Sequence, residues 1–126
     1  MKQILIVENE KIILNFLSNI LKRLGHSVTE TKSGSEAMVI LNDKEFDAIF
    51  LDIHLPEISG KEIYHHLRER SLELARRVVF ISGDLRNPKT ASFVEATGSL
   101  CLEKPFTIGE LKELLKQFFQ EKTPCG

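Results

Sequence analysis

Ala48-Ile49-Phe50-Leu51-Asp52-Ile53-His54-Leu55-Pro56 is the stretch that decides the fold. An unbroken apolar run closed by an acid reads as a strand buried on both faces. Its carboxylate, Asp52, is carried to the strand's rim, where a sheet of parallel strands places its chemistry. Working outward, other apolar runs end in the same manner. Ile4-Leu5-Ile6-Val7 ends in Glu8-Asn9, and Val78-Val79-Phe80-Ile81 ends in Ser82. Leu100-Cys101-Leu102 ends just before Lys104-Pro105. Acid, amide, hydroxyl and amine would therefore meet on one edge.

Strand patterns near residues 3–7, 27–30, 47–51, 77–81 and 100–102 alternate with helical ones. Ser27-Val28-Thr29-Glu30 is the polar exception and reads as an edge strand. Ile12, Ile13, Phe16, Leu17, Ile20, Leu21 and Leu24 repeat with helical period and stop at Gly25, a C-terminal cap. Ser33-Gly34-Ser35-Glu36 opens a second helix with a capping box. Ser59 to Glu62 opens a third, stapled by Ile58 and Ile63, and Asn87-Pro88 a fourth with proline at its first position. Thr107 to Glu110 opens a fifth, stapled by Phe106 and Leu111. Five βα units predict a three-layer α/β/α sandwich. The domain is expected over residues 1–121, with 122–126 as a flexible tail.

Composition narrows the function classes. The chain has 126 residues, enough for one hydrophobic core without staples. A net charge of -1 gives no basic footprint for nucleic acid. No apolar stretch is long enough for a membrane span. Met1-Lys2-Gln3 runs straight into a strand, and the two cysteines, Cys101 and Cys125, read as unpaired thiols. These features lead us to expect a cytoplasmic protein. The histidines, His26, His54, His65 and His66, lack metal-ligand spacing, and adjacent helical residues do not face one direction. The charged stretch from Arg68 to Arg77 reads as a solvated face and loop.

Four segments carry a specific resemblance: Val7-Glu8-Asn9-Glu10, Leu51 to Pro56, Ile81-Ser82-Gly83-Asp84 and Glu103-Lys104-Pro105-Phe106. Each lies at a strand end, in order, and together they resemble the receiver domain of two-component response regulators. The resemblance implies a flavodoxin-like fold with a five-stranded parallel sheet of order 2-1-3-4-5. It implies phosphoryl transfer from a histidine kinase or histidine phosphotransfer domain to Asp52, with Mg2+ (or Mn2+). Asp52, Asn9, Glu8 and the backbone carbonyl of His54 would hold the ion, directly or through water. Lys104 and the Ser82 hydroxyl would contact phosphoryl oxygens, and the bond before Pro105 is usually cis. His54 and Asp84 would flank the site and tune phosphoryl lifetime. A covalently linked kinase or output domain fits the resemblance, as does a monomer or weak dimer. Receivers are not conventionally classed as enzymes.

Two departures matter. Asn9 stands where the family has a metal-ligating carboxylate. A full charge at about 4 Å is worth roughly 4 kcal/mol at an effective dielectric near 20, so weakened Mg2+ binding is expected. Cys101 stands where a tyrosine or phenylalanine often changes rotamer. Output through the last two helices and last strand would then depend on Ser82 and backbone shifts. The short Gly98-Ser99-Leu100-Cys101 stretch looks more like receivers fused to hybrid sensor kinases.

Simpler readings compete residue by residue. Asp52 alone is a turn cap, Ser82 a turn or helix cap, and Lys104 a surface lysine. Glu8 alone is a solvated acid at a helix N-terminus. A receiver that has lost its metal chemistry and works as a phosphorylation-independent binding module is a further alternative. A flavodoxin-like cofactor binder fits poorly, because the first βα turn is Glu-Asn-Glu and not glycine-rich.

Overall fold

The computed structural model describes residues 1–120; the expected tail at 122–126 lies outside them. Five strands are present: β1 (Gln3–Val7), β2 (Ser27–Thr31), β3 (Ala48–Asp52), β4 (Val78–Ser82) and β5 (Cys101–Glu103). The helices are α1 (Lys11–Arg23), α2 (Gly34–Asp43), α3 (Gly60–Arg70), the short α4 (Leu72–Ala75), α5 (Pro88–Thr97) and α6 (Ile108–Phe119). All strand pairs are parallel and the order is β2-β1-β3-β4-β5. No helix among the described residues is long and apolar enough to cross a membrane.

The alternation of side chains along each strand divides the core into two layers. Ile4, Ile6, Phe50, Val79 and Ile81 face α1 and α6, meeting Leu14, Leu17, Leu21, Leu111 and Leu115. Leu5, Val7, Ile49, Leu51 and Phe80 face the other way, meeting Ala37, Leu41, Ile63 and Leu67. Each fully buried side chain of this size contributes about 1.5–3 kcal/mol before entropy is counted. The expected edge strand, β2, is only partly buried along most of its length.

Strand ends and helix starts follow the sequence signals closely. β3 and β4 each run one residue further than expected, so Asp52 and Ser82 are the last residues of their strands. The boxes at Ser59 and Thr107 are complete, with both reciprocal hydrogen bonds. Asn87 caps α5 with Pro88 following. Gly25, with φ 93°, takes the left-handed backbone after α1.

Three expectations are corrected. The inner face of α1 is Leu14, Leu17, Ser18 and Leu21, whereas Ile12 is 83% exposed and Phe16 and Leu24 are also exposed. The helix carries two overlapping apolar stripes, and periodicity alone cannot choose between them. At α2 the capping box is half made. Ser33 accepts from the Glu36 amide, but the Glu36 carboxylate bonds the Thr31 hydroxyl instead. The charged stretch is not all solvated loop. Ser71 caps α4, and the half-buried Arg77 donates to the Phe46 carbonyl at 3.1 Å.

One close approach fixes where α3 starts. A Cβ built on Gly60 would lie 2.3 Å from the Asp52 carbonyl oxygen and 2.8 Å from Ile53 Cα. Both neighbours are backbone and cannot yield cheaply. Gly60→Ala is therefore expected to cost about 2 kcal/mol or more in urea unfolding. A loss under about 0.5 kcal/mol, the usual scatter of surface changes, would show the contact to be soft.

Candidate functional site

The carboxyl ends of β1, β3, β4 and β5 converge on one cleft. Its lining is Asn9, Glu10, Asp52, His54, Gly83, Asp84 and Lys104, around a volume of about 270 Å³. Asp52 arrives there because β3 is the central apolar strand and Asp52 is its last residue. The Asp52 side chain is almost fully buried, and its Oδ1 accepts from the His54 amide at 3.1 Å. Lys104 arrives because β5 pairs with β4, and the Lys104 amide donates to the Ser82 carbonyl at 2.8 Å. The Lys104–Pro105 bond is cis, as expected.

Lys104 is the hub of the site. Its ammonium lies 3.0 Å from Glu8 Oε1, 2.6 Å from Glu10 Oε1 and 3.5 Å from Asp52 Oδ2. Three carboxylates surround one ammonium, which leaves two uncompensated negative charges if all are ionised. Glu8 is the innermost of the three, at 0% exposed, so the reading of a solvated acid is wrong for it. Glu8 Oε2 accepts from the Glu10 amide at 2.9 Å and from Lys104 at 3.2 Å. Glu8 Oε1, although close to Lys104, accepts no hydrogen bond of good geometry.

Burial dominates the titration of this cluster. It pushes Glu8 up to about 7, with the neighbouring Asp52 charge adding to the rise and the Glu10 amide and Lys104 opposing it. Burial also raises Asp52, against the pull of Lys104 and the His54 amide. For Lys104, burial acts downward, but its bonds to Glu10 and Glu8 outweigh burial and the net shift is upward. The lysine stays cationic.

The other predicted residues fall into place unevenly. Asn9 is exposed and lines the cleft. His54 Nε2 lies 3.4 Å from Asp84 Oδ2, so the two residues meet across the cleft mouth, and Asp84 also accepts from the Thr90 hydroxyl at 3.2 Å. Ser82 is fully buried and sits behind the cleft lining; its Oγ accepts from the Asp84 amide at 3.0 Å. Cys101 points away, into the layer containing Phe80 and Phe93, where burial and then Glu103 push its thiol up to about 12. Glu10 had no assigned role in the sequence reading, yet makes the shortest contact to Lys104. The signal that could have found it was its place in the same β1–α1 turn as Glu8 and Asn9.

The donors present are oxygens from carboxylate, amide and carbonyl groups, the set a hard cation prefers. The surplus negative charge and the unbonded, buried Glu8 Oε1 fit such an ion. Among the described residues, no three His, Cys, Asp or Glu side chains form a ready-made cage, since Lys104 stands between the acids.

The response regulator receiver domain model matches residues 4–116. The chain belongs to that family. The transcriptional regulatory protein CrdR of Helicobacter pylori is 27% identical over 120 residues, covering 95% of this chain and 56% of its own. Histidine kinase 3 of Arabidopsis thaliana is 29% identical over 139 residues, covering 94% of this chain and 13% of its own. This receiver thus spans little more than half of the one relative and a small part of the other. Among solved structures, the receiver domain of sensor histidine kinase PA1611 from Pseudomonas aeruginosa superposes with a TM-score of 0.83. It is 23% identical, covers 95% of this chain and 98% of its own, and is described with a magnesium ion in its active site cleft. At that identity the likeness speaks for the fold.

The raised Glu8 and Asp52 values set a pH dependence for this receiver without divalent ions. Between the ordinary carboxylate range and about 7, the folded protein binds more protons than the unfolded chain. Stability is therefore full at low pH within that window and is lost as pH rises through it. In EDTA, the melting temperature of wild type relative to Glu8→Gln should fall from pH 5 to pH 8. A difference that is flat or rises would show Glu8 ionised at the lower pH.

Proposed function

We infer that this receiver accepts a phosphoryl group on Asp52 from a phosphohistidine of a histidine kinase or histidine phosphotransfer domain. The observation that supports it is the Asp52–Lys104 juxtaposition at 3.5 Å in a cleft of oxygen donors. An Asp52 oxygen forms a bond to phosphorus while the phosphorus–nitrogen bond of the donor breaks and its electron pair returns to the imidazole. Attack requires an ionised carboxylate in a region that already carries surplus negative charge. A divalent cation, Mg2+ or Mn2+, when bound, neutralises the phosphoryl oxygens and the acids around them. Asp52, Glu8, Asn9 and the His54 carbonyl would hold it.

Lys104 then supplies a point charge that moves from carboxylate to phosphoryl oxygen. Ser82 accepts from the Asp84 amide, which leaves its hydroxyl proton to donate to a phosphoryl oxygen. Cys101 is too small to repeat an aromatic rotamer change, so the shape change runs through Ser82 and the β4–α5 backbone. His54 and Asp84, joined at 3.4 Å, screen the site from water and set the lifetime of the adduct. On this reading the domain works in the cytoplasm, as a monomer or weak dimer, beside or linked to kinase or output domains. It touches neither nucleic acid nor membrane itself. The uncharged Asn9 favours one second reading, a binding module that no longer needs phosphate.

Acetyl phosphate with Mg2+, read by intact mass, should add one phosphoryl group to wild type and none to Asp52→Asn. Equal gain by both would move the acceptor elsewhere. No gain by either would favour the binding-module reading. Followed over time, the adduct of the double variant His54→Ala, Asp84→Ala should decay at an altered rate; wild-type decay would remove these two from the mechanism.

A further inference from the structure

The expectation drawn from Asn9 treats one negative charge as missing from the cation site. The geometry places another close by. Glu10 lines the same cleft as Asn9 and Asp52, and its Oε1 lies 2.6 Å from Lys104 Nζ. Its position is fixed from the backbone. The Glu10 amide donates to Glu8 Oε2 at 2.9 Å, which curls the β1–α1 turn so that residues 8 and 10 both address the lysine. The buried Glu8 Oε1 faces the same ammonium and accepts no hydrogen bond of good geometry. This is a second, independent sign that the cluster is incomplete as it stands.

Building on the phosphoryl-acceptor reading, we propose that Glu10 supplies the negative charge that Asn9 lacks. Asn9 offers an amide oxygen without charge, and Glu10, one residue on, restores the acid count of the turn. It acts in one of two physically linked ways with the same sign. It faces the cation as an anion, or it neutralises the Lys104 ammonium that would otherwise repel the cation. Removing its charge weakens cation binding either way. A carboxylate at position 9 makes the contribution redundant. Glu10 is therefore a charge-supplying residue of the site whose importance depends on the residue beside it.

The test is calorimetric titration of the full chain with Mg2+ alone, in four variants besides wild type: Glu10→Gln, Asn9→Asp, the double change, and Asp52→Asn. Glu10→Gln should bind about fivefold more weakly, the upper range for a partly exposed charge. Asn9→Asp in the Glu10→Gln background should recover the wild-type affinity, a rescue that a merely structural role for Glu10 would not give. Glu10 is exposed, and its loss leaves the core intact, so all variants should fold. Wild-type affinity in Glu10→Gln, or no recovery in the double variant, overturns the proposal. If Asp52→Asn is weakened in that same experiment, the site reading beneath it survives. If Asp52→Asn also binds as wild type, that reading fails too.

Discussion

One ammonium, Lys104, is shared among three carboxylates, and the rest of the site depends on that imbalance. Glu8 and Asp52 are buried at the ends of the first and third strands, where neither acid would remain ionised alone. Lys104 lies within 3.5 Å of both, which makes their burial tolerable without cancelling the surplus negative charge. A buried ion cluster of this kind is weak evidence for stability, since desolvation offsets much of the attraction. It is better understood as a poised site. The sheet has to hold four strand ends in register for the imbalance to exist.

The register is the work of the two apolar layers. Leu5, Val7, Ile49, Leu51 and Phe80 on one side and Ile4, Ile6, Phe50, Val79 and Ile81 on the other lock β1, β3 and β4. A slip by one residue would exchange the two faces of a strand. The close approach of α3 at Gly60 to the Asp52 carbonyl then pins the end of β3 from above. Fold and chemistry are thus joined through backbone contacts around Asp52.

Much of this was legible in the sequence, for physical reasons. Strands buried on both faces are continuous apolar runs, so β1, β3 and β4 announce themselves, and the polar residue closing each run marks the edge. Asp52, Ser82 and Lys104 were found in that way. Helix starts were legible where capping boxes stand, at Ser59 and Thr107. The inward face of α1 was not, because Ile12, Ile13, Leu14, Phe16 and Leu17 satisfy two helical stripes and only the sheet chooses between them. The short α4 and the Arg77–Phe46 bond were hidden inside a charged stretch that reads as solvent-facing. The burial of Glu8 was illegible because an acid at a strand end is solvated in most settings, and only Lys104, 96 residues away in sequence, encloses it. Glu10 was overlooked because nothing in its immediate neighbours signals a contact to β5.

The account's central claim is that Asp52 and Lys104 together receive a phosphoryl group. A crystal structure of the chain with beryllofluoride and magnesium tests it most directly. The account predicts beryllium bonded to an Asp52 oxygen, with Lys104 Nζ turned from Glu10 to a fluorine. A structure grown under those conditions with Asp52 unmodified, or with the adduct formed while Lys104 stays on Glu10, would contradict it.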